Sequence, residues 1–192
     1  MEKFKELLMK LSYYNAAEGD WHSEAKPRNE CREELKKHVQ HLVDAGFSHY
    51  DILKEYDSIE SLTNPSDIFP LDYSILTYRL VDIDPKTYKP RTLFHGIDGS
   101  REIELGVEQQ AKILWKQDGS GGRYYFTGFH SIETLPLMYK YLKAFKSRRE
   151  RLRIGIVGVR GLFHKPNSKE GVILSKYQKL IGLVDIGWEA VL

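Results

Sequence analysis

The chain of 192 residues has a single cysteine, Cys31, which excludes an internal disulfide. Residues 1–11 alternate charged and apolar side chains and lack the apolar centre of a secretory leader, so a cytoplasmic protein is expected. No stretch approaches the roughly 18–20 apolar residues that a bilayer-crossing helix needs. Charge of one sign is also missing: 29 Lys and Arg stand against 27 Asp and Glu, a formal net charge of +2. Any nucleic-acid binding must then rest on a local patch rather than a global field. There is no Gly-x-Gly-x-x-Gly after a strand and no Gly-Lys-Ser/Thr loop, which removes two common phosphate cradles. No Ser or Cys nucleophile motif accompanies His130, so a hydrolase triad is not indicated. Internal repeats and low-complexity tracts are absent too.

What is present is the composition of a folded chain, 41% hydrophobic and 12% aromatic, long enough for one good core. Phe4, Leu7, Leu8 and Leu11 recur at helical spacing and predict a first helix. An irregular stretch over 17–28 holds Gly19, Trp21 and Pro27. A second helix is expected from Asn29, with Leu35, Val39, Leu42 and Val43 on its stripe and Gly46 as a left-handed stop. A third begins at Ser48 or His49 and carries Tyr50, Leu53 and Tyr56 toward Ile59, before Asn64-Pro65 and Pro70 end regular structure.

Strand formers dominate after residue 72. Strands are predicted over 75–83, 92–94, 123–127, 151–159, 171–174 and 180–186, and helices over 107–115 and 134–145. Asp118-Gly119-Ser120-Gly121-Gly122 reads as the turn of a hairpin or a lid, and 151–159 as the central strand. The expected class is α+β, a helical N-terminal unit (1–66) packed on a mixed, mainly antiparallel sheet domain (72–192).

Leu93-Phe94-His95-Gly96 ends a short apolar strand in His-Gly, and strand ends that open into loops commonly hold ligands. The plainer reading is a turn with an incidental histidine. Downstream, Tyr124-Tyr125-Phe126, Tyr139, Tyr141 and Tyr177 supply amphipathic rings suited to stacking a planar base or to lining a half-exposed sheet. With the late carboxylate Glu170, residues 90–186 resemble the ADP-ribosyltransferase fold of the poly(ADP-ribose) polymerase and diphtheria-toxin type. That family's signature is a His-Gly on an early strand, a Gly-rich turn such as the one here at Gly121 leading into a Tyr-Phe strand, and a late Glu. The resemblance implies NAD as the bound substrate, with His95, Gly96, Tyr125, Phe126 and Tyr139 around it. It implies His95 and Glu170 as catalytic, Glu170 steadying the cation as nicotinamide leaves, and it likens the setting of Gln178 to the family's last motif. A carboxylate beside an oxocarbenium-like sugar is the stabilisation that such a cleavage needs.

Lys143, Lys146, Arg148, Arg149, Arg151 and Arg153 form the densest run of cations, extended by Arg160 and Lys165 if the next strand folds back beside it. Such a run suits a nucleic-acid backbone, NAD phosphates or an acidic protein, and equally the solvated end of a helix. His38 and His41, with Cys31 about two turns earlier, lack a clear third and fourth partner for zinc, so no metal is expected. Two functions are therefore carried forward. One is an ADP-ribosyltransferase-like protein, active or degenerate, that transfers ADP-ribose from NAD to a macromolecule. The other is a non-enzymatic inhibitor or adaptor, of bacteriophage or bacterial type, that binds protein or nucleic acid through a basic aromatic surface. In the first, the side chains of His95 and Glu170 share one cleft.

Overall fold

The computed structural model describes residues 1–16, 25–58, 66, 68–93, 101–117, 124–148, 150–166 and 168–188, the side chains of 25, 26 and 146–148 excepted. Helix α1 (Glu2–Ala16) buries Phe4, Leu7, Leu8 and Leu11, the apolar stripe of the sequence. Each such burial contributes roughly 1.5–3 kcal/mol. Helix α2 (Ala25–Asp44) packs on it through Cys31, Leu35, Val39 and Leu42, and the Cys31 thiol reaches the Leu7 carbonyl at 3.5 Å. It starts ahead of the expected Asn29, because Pro27 falls in its first turn, where the missing N–H breaks no helical bond. Gly46 stops it at φ +88°, its amide donating to the Val43 carbonyl and that of Phe47 to Leu42.

Helix α3 (His49–Ser58) begins after Ser48, whose Oγ accepts from the Asp51 amide at 3.0 Å. A second cap arrives from far along the chain. The Glu133 carboxylate accepts from the amides of His49 (2.7 Å) and Tyr50 (3.2 Å), and His49 Nδ1 lies 2.8 Å away. His49 Nε2 stands 2.9 Å from the Tyr73 hydroxyl. Burial opposes the charge on Glu133, yet the His49 side chain and the two amides outweigh it and hold its pKa below the usual carboxylate value.

The strands are β1 (Ser74–Ile83), β2 (Pro90–Thr92), β3 (Glu108–Gln110), β4 (Trp115–Gln117), β5 (Tyr124–Phe126), β6 (Phe129–Ile132), β7 (Leu152–His164) and β8 (Val172–Val184). All strand pairings are antiparallel, and β7 lies between β1 and β8, the central place expected for 151–159. Because β6 pairs both β8 and, through Tyr78 and Ile132, β1, the pairings β1–β7–β8–β6–β1 form a closed circuit. The short β4–β5 pair stands apart as a hairpin.

Four expectations change. The helix expected over 107–115 is replaced by β3 and a connection to β4, because Glu108, Gln109 and Gln110 pair with Lys179, Gln178 and Tyr177 of β8, a tertiary ladder that local pattern does not register. The strands expected over 171–174 and 180–186 are one strand, β8; the polar Lys176, Tyr177 and Gln178 that seemed to separate them lie inside its pairing with β7. The strand expected over 92–94 is Pro90–Thr92, on β1. Helix α4 (Leu135–Leu142) is shorter than 134–145 and passes into a 3-10 turn, with Phe145 at φ −119° and ψ 20° off the helix; Thr134 precedes it without a side-chain cap.

The class is α+β. One core cluster joins the N-terminal helices to Val81, Val157, Leu162 and Leu180, and a second packs α4 on Leu80, Ile132, Leu152 and Ile154. No helix among the described residues is long and apolar enough to cross a membrane.

Candidate functional site

Over the α4-side core a cleft of about 550 Å³ opens between the sheet and the β4–β5 hairpin. That volume lies in the range of small-ligand pockets. Leu80, Ile132, Met138 and Val172 contribute its apolar lining, and Tyr125, Phe129 and Tyr141 its rings. The charged lining residues are Arg79, Arg101, Lys112, Lys116 and Lys165; no Asp or Glu lines the cleft among the described residues. Cations gathered around a partly apolar hollow repel one another and favour an anion between them.

Backbone geometry explains how the hairpin is held here. Thr127 Oγ1 accepts from the Leu114 amide at 2.9 Å and donates to the Lys112 carbonyl at 3.0 Å, while the Thr127 amide donates to the Leu114 carbonyl at 2.8 Å. The next residue must be small: a Cβ on Gly128 would come 2.6 Å from Phe163 Cζ and 2.8 Å from the Ser175 carbonyl. The hairpin then presents Lys116 and Tyr125, a directly paired couple, to the cleft. Lys165 Nζ lies 4.8 Å from the centre of the Tyr125 ring, and His130 meets the same ring edge-on at 6.4 Å.

Arg79 enters from the middle of β1. It bonds to the Gln178 side chain and stacks over Phe129 with its guanidinium carbon 5.9 Å from the ring centre. Gln178 in turn donates to Gln109 at 2.9 Å, so β1, β8 and β3 hold the cation jointly. Burial lowers its pKa to about 10, which leaves it charged at neutral pH. Ser131 also lines the cleft; it is 2% exposed, and its Oγ has no hydrogen-bond partner among the described residues. A buried hydroxyl of this kind is a ready donor to a bound acceptor.

The residues proposed from sequence are dispersed. Tyr125 lines the cleft. Phe126 points to the opposite face of the hairpin, and Tyr139 packs in the α4-side core. Glu170 is exposed on the turn before β8 and is not among the lining residues. His95 and Gly96 lie outside the described residues; Thr92 and Arg101, on either side of that segment, both line the cleft. In the basic run, Arg151 pairs with Asp82, Arg153 with Asp185 at 2.5 Å, and Arg160 with Glu108 at 2.6 and 2.9 Å. The side chains of Lys146, Arg148 and Arg149 lie outside the described residues. No group of three or more His, Cys, Asp and Glu fit to hold a metal occurs among the described residues.

Sequence reading missed Arg79, Arg101, Lys112 and Lys116 because they are scattered along the chain. One signal was legible: Arg79 stands between Tyr78 and Leu80 in the middle of a strand, and a cation there needs a special reason. Comparison of the chain with family models, curated proteins and solved structures finds no match.

Proposed function

We propose that this protein binds a nucleotide, or a similarly phosphorylated ring compound, in the cleft under the β4–β5 hairpin. The observation that carries the reading is the lining itself: among the described residues, five Lys and Arg, no carboxylate, and the Tyr125 ring. Phosphate is matched by the cations and the unpartnered Ser131 hydroxyl; a planar ring is matched by Tyr125, Phe129 and Tyr141.

NAD belongs to this ligand class, and the resemblance to ADP-ribosyltransferases makes it the first ligand to try. Transfer of ADP-ribose asks for more, a carboxylate directed at the ribose. Glu170 is the residue the resemblance assigns, and its exposed place on the turn before β8 makes binding, without transfer, the better supported reading.

Thermal unfolding with ATP, AMP, NAD and orthophosphate in turn is the test, since a ligand that binds only the folded state raises its stability in proportion to log concentration above Kd. Nucleotides are expected to raise Tm and orthophosphate to do so less. No rise with any of them would refute the binding reading. NAD consumption, compared between wild type and Glu170→Gln, tests the transferase extension separately; turnover lost in the variant with Tm unchanged would establish it.

A further inference from the structure

We propose that the outer face of the β4–β5 hairpin, opposite the face that lines the cleft, is a base-stacking platform, and that the ligand class is single-stranded nucleic acid. The inference rests on the cleft reading above. Cross-strand register sets the two faces of the hairpin: Trp115 opposes Phe126 and Gln117 opposes Tyr124, so these four share one face, while Lys116 and Tyr125 share the other. The second face lines the cleft. The first stands in solvent, with Trp115 59%, Phe126 54% and Tyr124 52% exposed.

Three large exposed rings, Tyr124 and Phe126 each set against Trp115, mark a surface that something covers. Trp115 and Tyr124 are nearly parallel, 18° apart with centres 6.0 Å distant, and Phe126 lies 4.7 Å from Trp115 at 58°. Trp115 thus stacks on one ring and meets the other at a tilt, and each of the three keeps more than half its surface in water. Charge decides between occupants. Lys112 and Lys116, at the base of the hairpin and on its inner face, form no ion pair among the described residues. An apolar protein segment would use the rings and leave those cations without a counterpart. A single strand alternates bases with phosphates and uses both, rings for bases and lysines for backbone.

The experiment measures fluorescence anisotropy of a labelled oligothymidylate on the order of ten nucleotides, beside calorimetric titration with the mononucleotide. Proteins are wild type, Trp115→Ala, Trp115→Phe and Lys116→Glu. The oligomer is expected to bind more tightly than the mononucleotide. Trp115→Ala should weaken the oligomer roughly tenfold, leave the mononucleotide unchanged, and be rescued by Trp115→Phe; Lys116→Glu should weaken both. An oligomer that binds no more tightly than the mononucleotide, or that ignores Trp115→Ala, overturns the platform and leaves the cleft reading standing. If neither ligand binds, both readings fall together.

Discussion

Two sets of cations in this molecule look alike in composition and differ in what surrounds them. Arg151, Arg153 and Arg160, on and beside β7, each meet a carboxylate, from Asp82, Asp185 and Glu108 respectively. Arg79, Arg101, Lys112, Lys116 and Lys165 come from several parts of the chain and gather on one hollow that no carboxylate lines among the described residues. The first set is the richer in sequence and is largely neutralised in the fold. The second is invisible as a run and becomes a field. A charge matched by a carboxylate mainly serves the structure, whereas cations gathered on a hollow are, under our proposal, what a ligand would meet.

The strongest way to sharpen that contrast is to remove a partnered charge and ask what fails. Glu133→Ala deprives the start of α3 of its carboxylate acceptor and should cost about 2 kcal/mol, roughly 4–8 °C in Tm for a chain of this length. Nucleotide affinity should not move. Since the folded pKa of Glu133 lies below its ordinary 4.5, its stabilisation is fully present above that pH and is lost as pH falls through the lowered value. Melting curves of wild type and variant should therefore differ at neutral pH and converge in acid.

Gly128→Ala probes how the gathered set is assembled. The added methyl would strike Phe163 and the Ser175 carbonyl, and the hairpin bearing Lys116 and Tyr125 must shift. Overpacking of this sort costs about 1–2 kcal/mol, and here nucleotide affinity should fall with stability. A loss of stability with affinity intact would mean that the cleft does not depend on how the hairpin is seated. The smallest effect belongs to Arg151→Ser combined with Arg153→Ser. Exposed ion pairs contribute about 0–1 kcal/mol each, so Tm should move by a few degrees at most and affinity by less than about twofold. A large drop in affinity would erase the contrast between the two sets.

The helices were legible because their signals are local: the stripe Phe4, Leu7, Leu8 and Leu11, the stop at Gly46, and the start after Ser48 depend on neighbours within a turn or two. β1 and β7 were legible for the same reason, as long apolar strands. Residues 108–110 were misread because their pairing partners on β8 lie far along the chain, and β8 was split because Gln178, a polar residue buried inside the pairing, looks like an interruption when read alone. At the site Tyr125 and Tyr141 were anticipated as stacking rings and Lys165 as an extension of the basic run, and all three line the cleft. Arg79, Arg101, Lys112 and Lys116 are single cations on β1, before β3, after β3 and on β4, and sequence spacing carries no trace of the circuit of strands that brings them together.

The decisive measurement is a calorimetric titration of one nucleotide, at low and at moderate salt, into wild type and into Lys112→Glu with Lys116→Glu. Both lysines are exposed, so the double variant should keep the wild-type Tm. Wild type should bind with an affinity that falls as salt rises, and the variant should bind at least about tenfold more weakly. Equal affinities in the two proteins, or wild-type binding indifferent to salt, would contradict a cleft that works by its gathered positive charge.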